Sequence, residues 1–144
     1  MTVTIAVIDD DVGIRRQLRA LLEQDGFEVV EYDPDRRGLK AIHLDFVDVL
    51  VTDIVMPDCD GFELLREIRN ARNLDLPVVA YSKEIPMYAT IAEKLGADAV
   101  VSLNGPGKLQ AVAGTTRQIA RSIYRNGSLS AELSSGQKPR PRTE

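Results

Sequence analysis

The sequence predicts an α/β fold, a doubly wound five-stranded parallel sheet of strand order 2-1-3-4-5, and three features carry that prediction. Short apolar runs alternate with segments of helical period, which is the pattern of βαβ units whose sheet is covered on both faces. Two of these runs, Thr4-Ile5-Ala6-Val7-Ile8 and Val47-Asp48-Val49-Leu50-Val51-Thr52, are followed at once by acidic residues, Asp9-Asp10-Asp11 and Asp53. Gly26 and Gly96 stand directly behind helical segments, where a chain leaving a helix turns back.

Taken in order, the first strand is expected over residues 3–8, and the helix after it places Ile14, Leu18, Leu21 and Leu22 on one face. Gly26 supplies its left-handed cap, and 28–32 form the second strand. A second helix is expected near 36–44, although Leu39, Ile42 and Leu44 do not make a clean stripe. The third strand covers 47–52, and the third helix starts near Gly61 with Leu64, Leu65 and Ile68 inward. The fourth strand, 78–81, leads to a helix with Tyr88, Ile91, Ala92 and Leu95. The fifth strand, 99–102, leads to a helix carrying Leu109, Val112, Ala113, Ile119, Ala120 and Ile123. Gly114 inside that last helix costs about 1 kcal/mol relative to Ala, so a bend or fray is expected there. From Asn126 the composition turns to Gly, Ser, Pro and charge, which predicts a folded domain over 1–125 and a disordered tail over 126–144.

At 144 residues and 44% hydrophobic the chain can bury one good core. Eighteen Lys and Arg against 22 Asp and Glu give a net charge of -4, which argues against direct DNA binding or a general nucleic-acid binder. One cysteine, Cys59, excludes an internal disulfide or a Cys-based zinc site and fits a reducing compartment. The first residues lack a basic region, and their apolar run is too short for a signal peptide or membrane span, so a soluble cytoplasmic protein is expected, with no membrane partner.

The acidic residues are where chemistry is expected. In the order 2-1-3-4-5 the first and third strands are neighbours, and ligands bind beyond their carboxyl ends, where the winding reverses. Asp9, Asp10 and Asp53 would share that site. Like charges so close raise one another's pKa unless a cation joins them, and the oxygen donors suit Mg2+. Helix capping is the competing explanation for the Asp-Asp-Asp run, because an Asp side chain accepts the free N–H groups of a first turn. Capping does not account for Asp53, so Asp11 is assigned to the cap and Asp9 and Asp10 to the site. Ser82 ends the fourth strand at the same edge, where its hydroxyl could donate to a phosphoryl oxygen; a plain turn residue is the alternative.

Over about residues 3–123 the sequence resembles the bacterial response-regulator receiver domain, a flavodoxin-like fold. The segment Asp53-Ile54-Val55-Met56-Pro57-Asp58-Cys59-Asp60-Gly61 resembles the phosphoacceptor strand and loop, and Asp9-Asp10 the acidic pair. Leu76-Pro77-Val78-Val79-Ala80-Tyr81-Ser82 resembles the fourth strand with its Ser/Thr switch, and Leu95-Gly96-Ala97-Asp98-Ala99 the approach to the fifth. The resemblance implies that Asp53 accepts phosphate from a histidine kinase or histidine phosphotransferase. It further implies that Asp9, Asp10, Asp53 and the backbone carbonyl of Val55 hold Mg2+, and that Ser82 follows the phosphoryl group. The output would be a change of contacts with a downstream protein target in a two-component or phosphorelay pathway, and a homodimer is compatible with it. Such a domain assists its own phosphorylation and dephosphorylation and is not a metabolic enzyme.

Two departures stand out. Leu103 occupies the position where the family carries a Lys, and Val100 the position of an aromatic residue whose rotamer tracks the Ser/Thr. Lys83, next to Ser82, is a candidate substitute cation, with Lys108 a weaker one; a solvated loop Lys is the plain alternative. Tyr81 is weighed as a replacement for the aromatic, on the other side of its strand from Ser82. Cys59 reads as a small packing residue, His43 as a surface residue, and Lys138-Pro139-Arg140-Pro141-Arg142 as a solvated terminus. The missing Lys keeps open a second function, a phosphorylation-independent pseudo-receiver acting as a protein-interaction module. A dehalogenase-type phosphatase would need an Asp where Val55 stands, and a flavin carrier would have its phosphate repelled by Asp9 to Asp11.

Overall fold

The computed structural model describes residues 2–34, 46–56, 60–72, 75–83, 86–103 and 105–133. Its elements are β1 (Thr4–Ile8), α1 (Val12–Gln24), β2 (Glu28–Tyr32), β3 (Val49–Asp53), α2 (Gly61–Glu67), β4 (Val78–Ser82), α3 (Pro86–Lys94), β5 (Ala99–Ser102) and α4 (Lys108–Leu133). The five strands form one sheet of order β2-β1-β3-β4-β5, with every neighbouring pair parallel. The helix expected near 36–44 lies outside the described residues, as do His43 and Cys59.

Strand alternation divides the core in two. Ala6, Ile8, Leu50, Val78 and Ala80 face one side of the sheet and pack with Leu64, Leu65 and Ile68 of the α2 segment and Ala92 of α3. Ile5, Val7, Val49, Val51, Val79 and Tyr81 face the other and pack with Leu18 and Leu22 of α1 and Leu109, Val112 and Ala120 of α4. Both faces of β1 are thus dry, as its uninterrupted apolar run requires.

The helix ends follow local chemistry. Asp11 caps α1 by accepting from Ile14 N at 3.1 Å, and Gly26, at φ 92°, turns the chain out after it. Asp60 caps α2 by accepting from Phe62 N at 2.9 Å. Gly61 is required by space, because a Cβ there would stand 2.5 Å from the carbonyl oxygen of Ile54. That close approach, with the Gly61 N–H donating to the same oxygen, folds the chain leaving β3 back over its own end. Beyond Glu67 the α2 segment widens into a π-helical turn, Ile68–Arg72, from which Arg69 donates to the carbonyls of Leu76 and Gly96.

The end of α4 differs from expectation. It is helical through Leu133, so residues 126–133, placed in a disordered tail from their composition, are helix; 134–144 lie outside the described residues. An established helix adds each further residue at little free-energy cost, and Leu129, Ala131, Glu132 and Leu133 are good helix formers that offset Gly127. Nor does Gly114 interrupt it.

Candidate functional site

In the β1–β3 register Ile8 lies opposite Thr52, so Asp9 and Asp53 leave the sheet side by side at its carboxyl edge. Carboxylate oxygens of Asp9, Asp10 and Asp53 all lie within 4.8 Å of one another. Asp9 is fully buried, Asp53 half-buried and Asp10 exposed, so the cluster opens toward solvent on one side.

The two inner carboxylates are held by backbone amides. Asp53 Oδ1 accepts from Val55 N at 3.2 Å, and Asp9 Oδ1 from Asp11 N at 2.8 Å. These bonds orient the groups but do not offset their confinement. Burial, then the charge of Asp9, pushes the Asp53 carboxyl up to about 7, against the lowering effect of the Val55 and Ile54 amides. Burial likewise raises Asp9 above the ordinary carboxylate value. No Lys or Arg among the described residues forms an ion pair with any of the three. A confined set of hard oxygen donors without a protein counter-charge fits a divalent cation such as Mg2+.

Ser82 is buried at the end of β4, opposite Ser102 of β5, and its carbonyl accepts from Leu103 N at 3.0 Å. Val55 is exposed and forms an isolated antiparallel bridge with Asp60, just behind Asp53. Lys83 is exposed, and Lys108 opens α4; neither forms an ion pair among the described residues. Leu103 is buried in the same cluster as Tyr81 and Leu109, so the residue that follows β5 is hydrocarbon taken up by the core. Val100 packs on the opposite side, against the α2 and α3 core.

Two contacts were not anticipated. The Tyr81 hydroxyl donates to Asp9 Oδ2 at 2.5 Å, across two strands, and Arg15 Nη1 donates to the Asp9 carbonyl at 2.6 Å while its Nε pairs with Glu31 at 3.2 Å. A strand tyrosine on a fully apolar face needs a partner for its hydroxyl, and that was the available signal for Tyr81. Arg15 carried none, since its spacing from Asp9 is that of any exposed helix residue.

Residues 5–110 match the response regulator receiver domain family. The chain is 35% identical over 109 residues to the KDP operon transcriptional regulatory protein KdpE of Escherichia coli, a match covering 74% of this chain and 48% of KdpE. It is 38% identical over 79 residues to the response regulator MprA of Mycolicibacterium vanbaalenii, covering 55% of this chain and 34% of MprA. The matches therefore span a third to a half of the length of these relatives. A CheY-like receiver domain structure from Methanospirillum hungatei superposes with a TM-score of 0.73 at 22% identity, over 88% of this chain and all of that one, which shows the shared fold. No helix among the described residues is long and apolar enough to cross a membrane. The sheet order, the acidic edge and the matched span agree, and the chain belongs to the receiver domain family of two-component response regulators.

Proposed function

We propose that this chain is a phosphorylation-dependent switch whose acceptor is Asp53. The observation that carries the reading is the convergence of Asp9, Asp10 and Asp53 within 4.8 Å at the junction of β1 and β3. A carboxylate oxygen of Asp53 attacks the phosphorus of a phosphohistidine on a histidine kinase or histidine phosphotransferase. The P–N bond breaks, the imidazole leaves with a proton, and an aspartyl phosphate remains. Asp9, Asp10, Asp53 and the Val55 carbonyl would hold Mg2+, which would supply electrostatic stabilisation of the phosphoryl oxygens. The Asp53 carboxylate is aimed by the Val55 amide, and Ser82, at the neighbouring strand end, donates its hydroxyl to a phosphoryl oxygen. A downstream protein reads the change, in the cytoplasm where such donors work; net charge -4 speaks against direct DNA binding.

The test is to incubate wild type and Asp53→Asn with acetyl phosphate and Mg2+ and to weigh the intact proteins. Wild type gains the mass of one phosphoryl group and the variant none. Equal labelling of both proteins, or of neither, rejects the assignment.

A further inference from the structure

We propose that Tyr81 is the positioning residue of the acidic site: its hydroxyl fixes Asp9 for Mg2+ binding as a neutral donor, in place of a cation. The inference rests on the phosphoacceptor reading above but concerns a separate step. Asp9 is fully buried, and each of its carboxylate oxygens accepts a hydrogen bond, Oδ1 from the Asp11 amide at 2.8 Å and Oδ2 from the Tyr81 hydroxyl at 2.5 Å. Among the described residues Tyr81 is the only side-chain hydroxyl or cation that bonds to the Asp9 carboxylate, since Arg15 donates to the backbone carbonyl of Asp9 instead. Its ring is itself fully buried, wedged with Val51 and Leu103 between the sheet and α4, so the hydroxyl is delivered from a rigid wall.

A carboxylate clamped at both ends offers its remaining lone pairs in one direction, toward Asp10 and Asp53. Such outer partners typically change metal affinity by about 10- to 100-fold when removed, because an unclamped ligand must be ordered at the moment of binding. The phenol also leaves the charge of the cluster intact. A fixed ammonium at this place would neutralise part of that charge and compete with the metal, whereas a hydroxyl orients Asp9 without doing so.

Tyr81→Phe keeps the ring and removes only the donor. Calorimetric titration with MgCl2 is expected to show Mg2+ binding weakened about tenfold relative to wild type. Mg2+ is also expected to change the tyrosine difference absorbance of wild type and of Tyr32→Phe but not of Tyr81→Phe, a signature that a role in packing alone would not produce. Unchanged Mg2+ affinity in a folded Tyr81→Phe overturns the proposal, and leaves the phosphoacceptor reading intact if wild type still gains its phosphoryl group. Should Tyr81→Phe fail to fold, wild type labelled with 13C-tyrosine decides: the Tyr81 Cζ resonance follows the Mg2+ titration if the proposal holds, and stays fixed if it is wrong.

Discussion

Mg2+ binding should be proton-linked, and the linkage can be worked from Asp53. With its carboxyl pushed up to about 7 by burial and by Asp9, roughly a tenth of the sites are ionised at about pH 6 and nine-tenths at about pH 8. The cation must displace that proton, so the apparent Kd for Mg2+ should fall about tenfold across this interval and level off above it. Asp9, also raised, steepens the slope at the acid end. The sign for stability follows from the same shift. A carboxyl whose folded pKa lies above its ordinary 3.8 binds its proton more tightly in the native state. It stabilises the metal-free protein fully below about pH 4, and that contribution is lost as pH rises toward about 7. The shift would be worth about 4 kcal/mol if unscreened, and solvent at this half-buried site reduces it to about 2. Mg2+ restores stability as RT ln(1 + [L]/Kd), near 2.7 kcal/mol at about a hundredfold excess over Kd. The assay is calorimetric Mg2+ titration at both pH values, with melting of the metal-free protein from about pH 5 to 8. Asp53→Asn should melt with a much weaker pH dependence. A wild-type Kd that is equal at both pH values, or a variant whose melting follows pH as wild type does, would refute the reasoning.

Gly61→Ala should destabilise by at least about 2 kcal/mol and weaken Mg2+ binding, because the new methyl meets the Ile54 carbonyl at 2.5 Å and forces the segment behind Asp53 to move; denaturant melts and Mg2+ titration check both. Leu103→Ala should cost about 2–4 kcal/mol in urea unfolding, since its side chain is buried in the cluster that holds Tyr81 and the inner residues of α4. On adding beryllofluoride and Mg2+, backbone amide shifts outside the Asp cluster should be largest from Ser82 into the start of α3 and smaller in β5, and they should shrink near α3 in Lys83→Ala. Lys83 is the cation adjacent to Ser82 at the strand end, and Leu103 presents only hydrocarbon.

The strands are legible because burial on both faces leaves a run of apolar residues with a sharp polar end. The expected and observed limits of β2 and β5 coincide, and those of the others differ by one or two residues for identifiable reasons. β3 starts at Val49, just after Asp48, whose N–H donates to the Thr4 carbonyl at 2.8 Å while its carboxylate, in place of a backbone carbonyl, accepts from Thr4 N at 2.9 Å. Asp53 and Ser82 join their strands because Ile54 N bonds to the Tyr81 carbonyl and Leu103 N to that of Ser82. The π turn after α2 has no local signal, since it depends on where Arg69 finds the carbonyls of Leu76 and Gly96. At the site, the identity of the carboxylates is written at the strand ends. Their orientation is not, because Tyr81 reaches Asp9 only through the lateral order of β1, β3 and β4.

That lateral order also links the two departures from the family pattern. Tyr81 lies opposite Asp53 in the β3–β4 register and opposite Val101 in β5, and it shares one buried cluster with Leu103, the residue that follows β5. That cluster also holds Leu109 and Val112, and the phenol–carboxylate bond is itself buried. Burial strengthens that bond and raises the penalty for losing it, so on the proposal above a neutral donor suffices to hold Asp9 where position 103 brings no charge. The electrostatic consequence falls on the metal. With no Lys or Arg paired to Asp9, Asp10 or Asp53 among the described residues, the compensating charge on the proposed reading comes from solution, and the site is expected to depend on Mg2+ more closely than a lysine-containing site would.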